Sequence, residues 1–241
     1  MSILNEVYLQ LFTLQSLVEQ SFEKAVAAAA GIGYKGVEFS PSFDTPAAEY
    51  KRIIDKYGMK VSGFHLSPDA MIGQADQVIE LAKTVGCGYV FCAYAEMADE
   101  AQAIGLAERM NSVVEKYTAY GIIPGYHNHA HEFEKSGDRY LYDIFFENLD
   151  SRFASELDTY WITYAGVDLF AVMDKYAGRT PVIHLKDMEK DGRGMADVGA
   201  GVVDFPKIVE KAKQNGVKIF VVEKDCSDER SAMASFEYLT K

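Results

Sequence analysis

Eight short apolar runs alternate with eight amphipathic or alanine-rich segments along the whole of this sequence. Strands that alternate with helices are joined by crossovers, and crossovers imply a parallel sheet. The runs are 7–14, 36–40, 60–66, 89–95, 122–129, 153–161, 181–188 and 218–225. The segments 16–33, 45–58, 74–86, 98–120, 139–148, 168–178, 205–216 and 229–239 read as helices. Gly31 and Gly33 suit the end of the first helix, and Thr45 is expected to cap the second with Pro46 at its first helical position. No run is an obvious edge strand, which favours closure over an open sheet. The expected fold is α/β, a (β/α)8 TIM barrel in one domain over 1–241. Such barrels typically take about 250 residues.

Chemistry-bearing side chains fall where these strands end. KVSGF precedes His65, IIPGY precedes His127 and His129, FASEL precedes Asp158, TPVI precedes His184 and IFVV precedes Glu223. Barrel active sites are built at the carboxyl ends of the strands, and imidazoles with carboxylates converging there make a divalent-metal site. Each residue alone has a plainer reading. Asp158 at a strand end can cap the next helix, and a lone buried His184 is more often a hydrogen-bonded core group. Glu223 interrupts IFVV without a turn signal, and a buried carboxylate is costly unless paired or metal-bound.

The richest segment is Tyr126-His127-Asn128-His129-Ala130-His131-Glu132-Phe133. Alternation along a strand turns His127 and His129 the same way, with Asn128 opposed. Glu132 lies just beyond and can reach back over the mouth. Glu38 and His65 sit at the same level on strands two and three, and Lys186 shares a face with His184. A lysine there can polarise a carbonyl or hold an anion. Gly199-Ala200-Gly201 lacks a preceding strand and a third glycine, so it is read as a tight turn over the mouth before Asp204 and Phe205, not as a dinucleotide site.

The formal net charge of −12 argues against nucleic acid and anionic membrane as partners. Cys87, Cys92 and Cys226 show no metal-type spacing and are read as reduced residues of a cytoplasmic protein. The start, MSILNEVYLQLF, has no basic region followed by a long apolar stretch, so no signal peptide or membrane span is expected.

VYLQLFTL, GYKGVEF, YHNHAHEF, ELDTYW, IHLKDM, VGAGVVDF and VVEKD, in this order, resemble the sugar phosphate isomerase/epimerase superfamily. These are the xylose isomerase-like TIM barrels, related to inosose dehydratase and the type IV endonuclease barrels. The resemblance implies one divalent ion (manganese, magnesium, cobalt or zinc) held by residues of strands five to eight. Asp158, His184 and Glu223 match three of the family's Glu, Asp, His and Glu. The usual Glu-Asn-His of strand five reads His127-Asn128-His129 here. Either His127 or Glu132 takes the remaining place, and an oxygen donor suits manganese or magnesium better, which favours Glu132.

The implied activity is isomerisation or epimerisation of a keto sugar or keto-polyol by proton abstraction next to the carbonyl. Glu223 is the expected base, His127 or His129 the partner acid, and Lys186 the oxyanion stabiliser. Glu38, His65, Asn128 and Trp161 are expected to position the sugar. A lyase or dehydratase on the same barrel is the rival, since family epimerases use glutamates of strands five and eight as a pair. An endonuclease is opposed by the negative charge, and a non-catalytic binding protein would hold no metal. Many such barrels pair through their helices, so a homodimer is the expected assembly.

Overall fold

A computed structural model describes residues 2–241. Eight parallel strands close in sequence order: β1 (Tyr8–Gln10), β2 (Gly36–Phe39), β3 (Lys60–Leu66), β4 (Tyr89–Cys92), β5 (Ile123–His127), β6 (Ala154–Asp158), β7 (Val182–Leu185) and β8 (Ile219–Val222), with β1 paired to β8. Helices link the strands and cover the outside. The expected (β/α)8 TIM barrel is the fold.

Alternation along each strand makes two cores. Leu9, Val37, Phe64, Val90, Leu157, Ile183 and Val222 turn outward and pack, buried, with the helices. Inside, Tyr8, Phe91, Ala154, Val182 and Val221 fill one layer of the barrel. The two large rings need room, and glycine supplies it. A Cβ on Gly125 would lie 2.5 Å from the Phe91 ring, and one on Gly63 would lie 2.5 Å from Glu38 Oε1. Gly63 is thus where an apolar layer gives way to a charged one.

Register then stacks the next inward positions level with one another. Gln10 pairs with Glu38, His127 with Glu156, and Asp158 with His184. All of these side chains are buried.

Several boundaries differ from the sequence reading. The first strand stops at Gln10 because its side chain accepts from Phe12 N at 3.2 Å and turns Leu11–Leu14 into a 3-10 helix. The first helix splits into Gln15–Val18 and Phe22–Ile32. Pro46, with extended backbone, is itself the cap of the helix Ala47–Lys56, so Thr45 is not. The segment 98–120 breaks into Glu100–Asn111 and Val114–Thr118, and at the break Asn111 donates to Asn148 O and accepts from Asp150 N. Short hairpins join Lys135–Ser136 to Arg139–Tyr140 and Asp187–Met188 to Met195–Ala196. The glycine-containing turn is held by one carboxylate. Asp187 accepts from the backbone N–H of Met188, Gly199, Gly201 and Val203 at 2.8–3.0 Å.

No helix among the described residues is long and apolar enough to cross a membrane.

Gly125→Ala is expected to destabilise the chain by about 1–3 kcal/mol, the usual cost of overpacking a filled interior. A lowered urea midpoint with unchanged slope would show it, and a midpoint equal to that of the parent would contradict the packing described here.

Candidate active site

The carboxyl ends of the strands carry a compact polar cluster. His127 closes β5, Glu156 and Asp158 belong to β6, His184 to β7, and Glu223 follows β8. In His127, Asp158, His184 and Glu223, one donor atom from each lies within 4.8 Å of every other. His184 Nδ1 is 2.9 Å from Glu223 Oε2, and His127 Nε2 is 3.7 Å from Asp158 Oδ2. Asp158 has two duties. Its Oδ1 accepts from Trp161 N at 3.0 Å and caps the helix Thr159–Tyr164, while its Oδ2 is buried without a hydrogen-bond partner.

Beneath this quartet lies a second tier. Glu38 Oε2 receives Gln10 Nε2 at 3.0 Å and meets His184 Nε2 at 2.7 Å. His65 Nε2 lies between Glu156 Oε2 at 2.7 Å and Glu38 Oε2 at 3.0 Å. Glu156 Oε2 also meets His127 Nδ1 at 3.2 Å. Above the quartet, Lys186 Nζ bonds Asp225 Oδ1 at 2.5 Å and lies 3.5 Å from Glu223 and 4.0 Å from Asp158.

Burial and charge pull these groups in opposite directions. Burial alone would raise Glu38, but His65 and His184 hold it down to about 2. Burial and the neighbouring Glu38 would raise Glu156, yet His184 and His65 hold it too down to about 2. Burial disfavours a charged His65, but Glu38 and Glu156 raise it to about 10. His127 goes the other way, pushed well below the ordinary imidazole range by burial and by His184. Burial lifts Asp158 to about 7 against the pull of Lys186. Lys186 keeps its proton, because Glu223, Asp158 and Asp225 outweigh its burial.

A divalent ion fits the quartet on three grounds. Asp158 Oδ2 is enclosed and lacks a donor. Glu156 and Glu38 outweigh burial and raise His184 well above its ordinary range, so a proton sits between its Nδ1 and Glu223 Oε2, 2.9 Å apart, in the place a cation would take. Two nitrogen and two oxygen donors form a set that suits zinc, manganese or cobalt.

A cleft of about 280 Å³ opens onto the cluster, lined by Gln10, His65, His127, His129, Lys186 and Glu223, with Phe12, Tyr94 and Asp225 at its sides. His129 Nδ1 is buried and unpartnered. Burial, with Lys186 nearby, pushes this ring down to about 3 and keeps it neutral.

The expected residues are not all brought together. Glu132 does not join the quartet. Its carboxylate accepts from Tyr126 Oη and from His129 N, both at 2.8 Å, so it fixes the turn after β5. Burial raises its pKa there. The strand-five position in the quartet is held by His127. Glu38 and Asn128 were expected to touch a sugar, and neither lines the cleft. Glu38 is enclosed by Gln10, His65 and His184. Asn128 Oδ1 accepts from Asp158 N at 3.0 Å and holds β6 in place. Trp161 packs behind His129, ring centroids 5.0 Å apart, with Lys186 Nζ 5.3 Å from its ring. Glu156, Gln10 and Asp225 were not singled out from the sequence. Glu156 had a readable signal, since it stands two residues before Asp158 in a strand and therefore shares its face.

Residues 26–241 match the family described as xylose isomerase-like TIM barrel. No curated protein matches the chain. Among solved structures, a sugar phosphate isomerase/epimerase from Parabacteroides distasonis superposes with a TM-score of 0.81 at 23% identity, over 97% of this chain and 92% of that one. The probable 3-DHS dehydratase AsbF of Bacillus anthracis gives 0.77 at 13%, over 98% and 99%. An AP endonuclease, family 2, from Brucella melitensis gives 0.72 at 15%, over 96% and 97%. At these identities the likeness is one of fold. Because the family match runs through β2 to β8 and takes in every residue of the quartet, the chain belongs to the xylose isomerase-like TIM-barrel family.

Proposed function

We propose that this chain is a divalent-metal-dependent sugar isomerase or epimerase that abstracts a proton next to the carbonyl of a keto sugar or keto-polyol. The observation that carries the reading is the quartet His127, Asp158, His184 and Glu223, with Asp158 Oδ2 unpartnered, beneath a cleft of small-ligand size. These four residues would hold the ion, which when bound polarises adjacent carbonyl and hydroxyl oxygens and acidifies the neighbouring C–H.

The chain's own groups divide the remaining work. Glu223 lines the cleft and is the candidate base. Its Oε2 is tied to His184, and Lys186 and His184 outweigh burial to keep it ionised at neutral pH. Lys186, fully charged and almost enclosed, stabilises negative charge that develops on the substrate oxygen. With His127 turned to the quartet, the second proton-transfer role falls to His129, whose unpartnered Nδ1 borders the same cleft. Asp225 holds Lys186 by charge and hydrogen bond.

A second reading, elimination of a β-leaving group from the same activated carbonyl compound, is favoured by one observation. The two carboxylates that line the cleft, Glu223 and Asp225, both come from the end of β8. The opposite wall offers imidazoles, of which His65 is held protonated by Glu38 and Glu156, so a carboxylate pair on two sugar faces is missing while a base and an acid for elimination are present.

Metal analysis of the purified protein tests the first premise. A divalent ion is expected near one per chain, lost in Asp158→Ala and His184→Ala and retained in Glu132→Gln. Absence of metal from the parent protein after reconstitution would sink both readings. Chelation is expected to lower thermal stability, because an ion at a hundred times its dissociation constant contributes about 2.7 kcal/mol. With keto sugars in deuterated water, Glu223→Gln is expected to slow turnover by about 10²- to 10⁴-fold. Exchange into recovered sugar without loss of water supports isomerisation or epimerisation, and release of water or an aglycone supports elimination.

A further inference from the structure

The two histidines of the quartet are presented by different nitrogens. His184 turns Nδ1 toward Glu223 and Nε2 toward Glu38, at 2.9 and 2.7 Å. His127 turns Nε2 toward Asp158 and Nδ1 toward Glu156, at 3.7 and 3.2 Å. In each ring one nitrogen faces the quartet and the other faces a carboxylate of the lower tier. An ionised carboxylate only accepts hydrogen bonds, so the nitrogen that faces it must carry the proton. Glu223 faces His184 Nδ1 as well, so without an ion that ring carries both protons; a divalent ion held by the quartet would take the place of the quartet-side proton and leave the one N–H on the lower-tier side.

We infer that Glu38 and Glu156 are positioning residues that fix opposite tautomers in the two histidine ligands. Nε2–H of His184 donates to Glu38, which leaves Nδ1 to bind an ion. Nδ1–H of His127 donates to Glu156, which leaves Nε2. The inference rests on the metal reading above and goes beyond it, since neither glutamate belongs to the proposed quartet. His65 completes the device by bridging the two carboxylates through a single nitrogen, Nε2. Gln10 holds Glu38 from the other side at 3.0 Å. Both glutamates are fully buried, and the Oε1 of each lacks a hydrogen-bond partner. Partners of this kind raise ligand basicity and fix ring orientation, and losing one typically costs 10- to 100-fold in metal affinity.

The test uses the full chain loaded with zinc, a diamagnetic probe ion. Long-range proton–nitrogen spectra of histidine-labelled protein are expected to show His184 protonated at Nε2 and His127 at Nδ1. Glu38→Gln and Glu156→Gln are expected to weaken zinc binding by about 10- to 100-fold in chelator competition. Glu38→Gln is expected to blur the tautomer of His184 and leave His127 unchanged, and Glu156→Gln to blur that of His127 with a smaller effect on His184, whose Nε2 lies 3.4 Å from Glu156 Oε1. Unfolding midpoints measured alongside separate this from a loss of fold, and Glu38→Asp is expected to recover part of the affinity. Zinc bound through the same nitrogen in both rings overturns the inference. So does affinity within twofold of the parent in folded variants. Failure of the parent chain to bind zinc at all overturns the metal reading, and this inference with it.

Discussion

Charge balance inside a closed barrel governs this structure. Glu38, Glu156, Asp158 and His184 have no solvent exposure, and Lys186 has almost none. Taking an ion out of water costs several kcal/mol even after the protein relaxes. That cost is offset only by partners at hydrogen-bond distance, so each charged group dictates its neighbours. Glu38 demands Gln10, His65 and His184. Glu156 demands His65 and His127. Glu38 in turn demands a neighbour on β3 without a side chain, which is the role of Gly63. The apolar layer of Tyr8, Phe91, Ala154, Val182 and Val221 then seals the interior from the far end.

The architecture was legible because period-two strands and turn residues recur eight times, and strand-end chemistry is a local signal. His65, His127, Asp158, His184 and Glu223 could be named from runs such as TPVI and IFVV that lead into them. The residues that were missed or misplaced depend on what lies across the barrel. Glu156 reads as an ordinary amphipathic strand position until His65, far away in the chain, is seen at 2.7 Å. Gln10 sits in an apolar run and gives no hint of Glu38. Glu132 lies at a distance in sequence that suits the mouth and its own turn equally, and the Tyr126 hydroxyl decides for the turn. The split at residues 112–113 likewise follows from Asn111 bonding to a distant loop, which no periodicity encodes.

The departure at strand five changes the electrostatics of the mouth. Two carboxylates and two neutral imidazoles carry a formal charge of minus two, which a divalent cation neutralises in full. Lys186 and Asp225 form a separate neutral pair above it. The lower tier keeps one net negative charge, Glu38 and Glu156 against His65, so a neutral polyol meets less repulsion there than an acid.

Asp158 ties this mouth to a helix. One of its oxygens caps Thr159–Tyr164 and the other faces the quartet. The third residue of that helix, Trp161, is the only tryptophan of the chain, and it packs behind His129 beside Lys186. The protein's tryptophan emission therefore comes from a single ring whose nearest charged neighbours are those of the site. Evolution has left an optical probe where an experimenter would have placed one.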